Sequence, residues 1–330
     1  VEMFHNYSMI ILINPLTSDA MLLNKVTRAC EKPLIIVGTY GLSSYIYNDF
    51  GNEFEIEDQD GEIYDKLLIE ELSTHEIKFK SKHKLNDGDT LIIKYENGSI
   101  EEKKISNVVN PFKIQFNDNI VTDMNNYTSI IKKKIKKIIK NISYEEFITN
   151  KKQEKIIMSD FSVPFDRNEL LFNLCLGLNC YFEKFQEMPR SWSCVDCNVF
   201  INVLKEQTSV IIDEKNINFI KKFCYTAAGN FKPVASIIGG IASHEIIKGI
   251  TKKFIPIEQA LFIDFIDDLI NDDEVTNDNI NMAEYVSYDK YNSMINIFGK
   301  TFVKSFQSVK PFVIGSGAIG CEILKNLCCM

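Results

Sequence analysis

The sequence has no long apolar run. Its longest, Leu170 to Phe182, spans 13 residues and is broken by Asn173 and Asn179, short of the roughly 20 residues that a membrane helix needs. No membrane-spanning helix is expected. A basic surplus is also missing: 37 Lys and Arg stand against 45 Asp and Glu, a net charge of −8. That sign argues against a protein whose main work is coating nucleic acid or an anionic membrane. Val1-Glu2-Met3-Phe4 carries neither an initiator Met nor a basic-then-apolar leader, so secretion is not expected and the chain reads as a piece of a longer protein. Nine cysteines, an odd number scattered over the chain, suit free thiols in a reducing compartment better than a disulfide framework. Cytoplasm or nucleus is the expected location.

What is present is an ordinary globular composition, 45% hydrophobic and 25% charged over 330 residues, which excludes disorder, collagen and a fibrous coiled coil and leaves room for several compact units. Met9–Ile13 is a short β-branched run. Cap candidates Ser18 and Asp19, an amphipathic stretch to Glu31 and a second run, Leu34–Val37, follow it. This is βαβ spacing, and it predicts the start of a parallel α/β layer whose remaining strands come from elsewhere.

From Phe54 to about Ile120 the hydrophobic period becomes two, and Asp60-Gly61, Asp87-Gly88 and Asn97-Gly98 punctuate the runs. Asx-Gly pairs tolerate the positive φ of tight turns, so a small antiparallel module is expected. Its acidic opening, Asp49 to Glu62, fails as an EF-hand, because Ile56 and Leu67 stand where oxygen ligands are needed. Between Ile130 and Lys140 six lysines alternate with five isoleucines. The pattern fits either a basic amphipathic helix for a membrane or partner, or a lysine-guarded edge strand, and the edge strand is preferred.

Helical periodicity then takes over. Ser143-x-x-Glu146 and Asp166-x-x-Glu169 have capping-box spacing, and four helices with short connections are expected before Gly229. Cys194-x-x-Cys197, with Cys175 and Cys180, lacks the paired tight turns of a zinc knuckle, so packed thiols are expected there. Pro233 opens a further helix to Ile250. Its adjacent Gly239-Gly240 costs about 2 kcal/mol of helix propensity and predicts close approach of another backbone. His244, in the same helix, is expected to be a hydrogen-bonded structural residue. Ala260–Phe265 is a strand candidate, and the acidic stretch Asp264 to Asp278 an exposed linker.

At the far end, Val309–Ile314 is strand-like, Gly315-Ser-Gly317-Ala-Ile-Gly320 is a G-x-G-x-x-G run, and Cys321–Leu327 is helix-like. In that context the first glycine permits a sharp turn, the second lets a phosphate approach and the third lets helix and strand pack. Alone, this motif would also allow an NAD-dependent oxidoreductase, and the basic Lys132–Lys140 stretch a noncatalytic binding module.

Tyr225–Pro233, Ile238–Lys248, Lys253–Pro256 with Gln259, and Gly315–Asn326 together resemble the eukaryotic ubiquitin-activating enzyme family. Asp49–Glu53 and His83-x-x-x-Asp87-Gly-Asp89 resemble it more weakly. The resemblance covers essentially the whole chain and implies a multidomain α/β, β and α architecture. A partial Rossmann-like, ThiF-type inactive adenylation domain is interrupted by a small antiparallel β-module and a four-helix bundle. The implied boundaries are 1–53 for the first part of the inactive domain, 54–141 for the β-module (the first catalytic-cysteine half-domain), and 142–228 for the bundle. The inactive domain returns at 229–284, and the active adenylation domain starts at 285–330.

The resemblance further implies that the parent protein uses ATP and Mg to adenylate the terminal carboxylate of ubiquitin, forms a cysteine thioester and passes it to a ubiquitin-conjugating enzyme. Gly315, Gly317 and Gly320 match the family's nucleotide loop. No residue of this chain is assigned a catalytic or metal-binding role, because the family's metal-binding acid, thioester cysteine and contributed arginine fall outside it. This chain alone is therefore expected to be inactive, monomeric, and without a nucleic-acid or membrane partner. Where the family carries an Arg-Tyr-Asp-Gly-Gln run, this sequence has Lys290-Tyr-Asn-Ser-Met294.

Overall fold

The computed structural model describes residues 2–62, 66–118, 127–149, 156–157, 166–208, 210–272 and 291–329. They fall into two compact units, Glu55–Lys137, and Val1–Phe54 with Ile138–Met330. The protein is mixed α/β, with several sheets.

In the larger unit β1 (Ile10–Ile13) and β2 (Leu34–Tyr40) pair in parallel, Ile10 opposite Leu34, across helix α1 (Thr17–Ala29). Leu34, Ile35 and Ile36 are fully buried, as expected of a strand covered on both faces. The α1 cap differs from expectation: Leu16 is the N-cap and offers no side-chain bond, so Ser18 and Asp19 sit inside the first turn. There the Asp19 charge still faces the positive end of the helix.

The layer is not purely parallel. β3 (Ser43–Asp49) turns back antiparallel to β2, and β13 (Ala260–Asp264) pairs antiparallel with β3, Ala260 opposite Tyr47. β12 (Ile156–Ile157) then adds parallel to β13, giving the order β1-β2-β3-β13-β12. The chain thus returns to complete the sheet it opened some 250 residues earlier.

Helix α6 (Lys232–Thr251) lies on β2 and β3 through a stripe of Val234, Ile238, Ala242, Glu245 and Gly249 at three- and four-residue steps. Glu245, 1% exposed, accepts from Asn48 Nδ2 at 2.8 Å, the Ile257 N–H at 2.8 Å and Lys248 Nζ at 2.6 Å. These bonds offset the cost of burying its charge. Two expectations for α6 fail. Gly239 and Gly240 have no heavy atom within 4 Å of where a Cβ would stand, so no backbone packs on them, and His244 is exposed.

Among the described residues of 142–228 lie four helices, α2 (Tyr144–Thr149), α3 (Arg167–Phe185), α4 (Cys194–Gln207) and α5 (Ile217–Thr226). The short α2 packs on α1, whereas α3, α4 and α5 pack in succession. Ser143 Oγ accepts the Glu146 N–H at 3.2 Å, but Asp166 makes no such cap. Ser193 caps α4 instead, accepting the Asp196 N–H. Where α3 meets α4, a Cβ at Gly177 would stand 2.7 Å from Leu204 Cδ1 and 3.6 Å from Phe200. Gly177→Ala is expected to cost about 1–3 kcal/mol by overpacking, read as a lowered urea midpoint with unchanged slope.

The smaller unit is an antiparallel six-stranded sheet, ordered β10-β7-β8-β9-β6-β5. Its strands are β5 (Ile69–Leu72), β6 (Glu76–Phe79), β7 (Thr90–Tyr95), β8 (Ile100–Asn110), β9 (Lys113–Phe116) and β10 (Tyr127–Lys132). Asn97-Gly98 joins β7 to β8 with Gly98 at φ 81°. Ile77, Leu91, Ile114 and Ile130 lie fully buried in its core. The Leu67 N–H donates to the Ile130 carbonyl at 3.0 Å, drawing the two ends of the sheet together.

The lysine-rich segment forms edge strand β10, an irregular stretch, and β11 (Lys137–Ile139), which pairs with β4 (Phe54–Ile56). It is not a helix. Lys132, Lys133, Lys134 and Lys136 bridge Asp89, Glu102, Asp58 and Glu55, so these four cations are matched by the module's own acids.

No helix among the described residues is long and apolar enough to cross a membrane. The acidic stretch beyond Asp272 and residues 285–290 lie outside the described residues.

Candidate functional site

The glycine run lies between the helix Asn292–Gln307 and the terminal helix Ala318–Cys329. The strand expected at Val309–Ile314 does not form, because a strand needs a ladder partner and this segment pairs with none among the described residues. Its side chains stay outside: Phe312 is 89% and Ile314 86% exposed.

The turn itself is well defined. Gly315 has φ 100°, a region that L side chains rarely adopt. At Gly320 a Cβ would stand 2.2 Å from the Gly315 carbonyl oxygen, so the first helical turn lies directly against the loop. At Gly317 nothing comes within 4 Å. The three glycines therefore differ physically: one turns the chain, one leaves its backbone open to solvent, and one permits close contact.

The Cys321 N–H donates to the Gly317 carbonyl at 2.9 Å, and Ser236 Oγ donates to Asn326 Oδ1 at 2.8 Å, anchoring the helix to α6. The earlier backbone N–H groups of the helix have no intrahelical acceptor and face the loop, which suits an anion such as a phosphate.

The described residues fit a phosphate better than a metal. Among them no group of three or more His, Cys, Asp and Glu side chains comes together to hold an ion, so no step is assigned to magnesium here. All nine cysteines are free thiols. Cys197 and Cys224 are 2% and 0% exposed, and Cys194 Sγ lies 3.4 Å from the Tyr225 hydroxyl. The Cys175, Cys180, Cys194 and Cys197 set does not form a metal cluster.

Sequence reasoning missed a polar cluster that ties the two excursions of the chain together. Asp49, which the sequence offers as part of an acidic run and of a weakly family-like segment but with no bonding partner, is 1% exposed and accepts from Arg28 Nε at 2.6 Å, Arg28 Nη2 at 2.9 Å and Asn24 Nδ2 at 2.6 Å. Arg28 also donates to the Asn141 carbonyl at 2.7 Å. The signal available was a lone arginine at the end of an amphipathic helix, which its spacing left without a partner.

A mixed α/β protein with a glycine-rich turn opening a helix is the class that the fold and this site define. Its curated relatives are ubiquitin-like modifier-activating enzymes. The chain is 27% identical over 343 residues to ubiquitin-like modifier-activating enzyme 1 of Dictyostelium discoideum, covering 100% of this chain and 33% of the relative. It is 28% identical over 340 residues to ubiquitin-activating enzyme E1 1 of Candida albicans, covering 98% of the chain and 33% of the relative. Against ubiquitin-like modifier-activating enzyme 6 of Homo sapiens it is 28% identical over 312 residues, covering 88% of the chain and 28% of the relative. The chain therefore spans about a third of the length of the curated relatives it matches. No protein-family model matches it.

Proposed function

We propose that the protein carrying this chain is a ubiquitin-activating enzyme that uses ATP and Mg to adenylate the C-terminal carboxylate of ubiquitin. It then forms a thioester with an enzyme cysteine for transfer to conjugating enzymes. The observation that carries this reading is the extent of the likeness to activating enzymes, 98–100% of this chain in two relatives, which a shared glycine loop alone would not produce. Adenylation converts a carboxylate, a poor electrophile, into a mixed anhydride with a good leaving group, and oriented donors stabilise the phosphate charge during transfer.

In this reading Gly315, Gly317 and Gly320 cradle phosphate oxygens. Gly315 makes the turn, Gly317 leaves room for the ligand, and the N–H groups opening the terminal helix face the anion. Residues 1–53 and 229–284 make up the inactive adenylation domain, 54–141 the β-module and 142–228 the four-helix bundle, and 285–330 begin the active domain. The protein works as a monomer in cytoplasm and nucleus. The 330-residue chain by itself does not adenylate in this reading, since the family's metal-binding acid, thioester cysteine and contributed arginine fall outside it.

Ubiquitin-dependent exchange of pyrophosphate into ATP tests the assignment. The full protein is expected to exchange and the 330-residue chain to give only background. Absence of exchange by the full protein overturns the reaction, and exchange by the chain alone overturns its inactivity.

A further inference from the structure

The larger unit has a cavity, remote in sequence from the glycine run, at the carboxyl ends of the parallel strands β1 and β2. Its volume is about 310 Å³, at the small end of the roughly 300–1,000 Å³ typical of small-molecule sites. Asn14 follows β1, Tyr40 ends β2, Asn179 and Phe182 come from α3, and Met188 and Asn230 from the segments after α3 and α5. In open α/β sheets this is where ligands bind, because the connections diverge beyond the strand ends and leave a crevice.

Its polar groups are held in place. Asn14 has φ 48°, accepts the Thr39 N–H through Oδ1 at 2.8 Å and bridges the ends of the two strands. The segment after α5 is pinned by the Gly41 N–H donating to the Gly229 carbonyl at 3.2 Å and by the bridge between Gly41 and Asn230. Asn179, 6% exposed, donates through Nδ2 to the Tyr40 hydroxyl at 3.3 Å and the Cys175 carbonyl at 3.2 Å. Its Oδ1 accepts from no described residue, and Asn179 is one of the residues that line the cavity.

None of the lining side chains carries a formal charge. A charged ligand group would lose its hydration there without an ion to replace it. Carboxamides pair well with edges that offer a neighbouring donor and acceptor, as asparagine does with adenine, while Phe182 and Met188 suit the face of a flat ring.

We propose that this crevice binds an uncharged planar heterocycle of nucleobase or nucleoside size, with a ring N–H or amino group donating to Asn179 Oδ1 and the amides of Asn14 and Asn230 completing its edge. The site is separate from the Gly315–Gly320 loop and does not depend on the adenylation reading.

The test uses adenosine as probe on the 330-residue chain, followed by saturation-transfer NMR and a titration. Adenosine is expected to show transfer, with AMP binding no tighter because the crevice offers no cation. Ala228→Leu, which fills the cavity from a half-buried position, is expected to weaken adenosine at least about tenfold, with an unchanged melting temperature. Asn230→Ala, at an exposed position, is expected to weaken it about threefold to tenfold through one lost hydrogen bond. Gly317→Val is expected to leave adenosine binding as it was. No transfer at millimolar adenosine, equal affinity in Ala228→Leu and Asn230→Ala, or loss confined to Gly317→Val each overturns the proposal, the last by placing the ligand in the glycine loop.

Discussion

Asp49→Ala is expected to lower the unfolding free energy of the larger unit by about 3–5 kcal/mol, the range found when one partner of a buried ion pair is removed. The carboxylate is 1% exposed, and it accepts a fork from Arg28 Nε and Nη2, a bond from Asn24 Nδ2 at 2.6 Å and the Gly51 N–H at 3.0 Å. Removing it strands a guanidinium whose side chain is only 23% exposed, along with two neutral donors. Arg28 would still reach Asn141 and Asn52, so part of its hydrogen bonding survives. Asp49→Asn keeps an acceptor of the same shape and is expected to cost less than Asp49→Ala, because it forfeits the charge but not every bond. Urea unfolding followed by far-UV circular dichroism reads both. A loss below about 1 kcal/mol, the size of a surface pair, would show that the cluster does not hold residues 24–52 against the chain returning at 141.

The sequence made β1, α1 and β2 legible because a compact apolar run, a 3.6-residue period and a second apolar run each have a distinct signature. It made the β-module legible for the same reason: period-two alternation in Leu91, Ile93 and Tyr95 against Ile114 and Phe116, with Asn97-Gly98 at a real hairpin. β3 was not legible. Ser43-Ser-Tyr-Ile-Tyr-Asn-Asp49 mixes polar and aromatic residues without alternation, yet every one is buried. Bonds to distant residues help hold it: the Asn48 N–H donates to the Gln259 carbonyl and Asn48 Nδ2 to Glu245. No local pattern encodes partners some 200 positions away.

The same limit explains the opposite error at Val309–Ile314. Its residues prefer extended backbone, but a strand is a pairing and not a propensity. Gly239-Gly240 misled in another way, since two glycines in a helix can mark a crowded face or an open one, and here the space beside them is empty. For the candidate site, the motif and its following helix were readable. The differing surroundings of its three glycines were not, because those depend on how the terminal helix is set against the Gly315 carbonyl.

Those surroundings make the strongest functional prediction. Gly320→Ala places a methyl carbon 2.2 Å from the Gly315 oxygen, about 1 Å inside van der Waals contact. The atoms that the methyl meets are backbone rather than the end of a flexible side chain, so the clash is relieved only by a backbone shift. The helix must therefore move outward, taking its free N–H groups with it. If those groups orient the phosphates of ATP, a displacement of about 1 Å costs on the order of 10²-fold in rate. Ubiquitin-dependent pyrophosphate exchange by the full protein is expected to fall at least that far. The melting temperature should hardly change, since the loop is exposed and contributes little core. Gly317→Ala supplies the contrast: it meets no protein atom within 4 Å, so its effect should appear as a raised KM for ATP with the fold undisturbed. Full exchange and unaltered ATP affinity in Gly320→Ala would remove the phosphate-cradling role from this loop, because no nucleotide held against that helix could be indifferent to its shift.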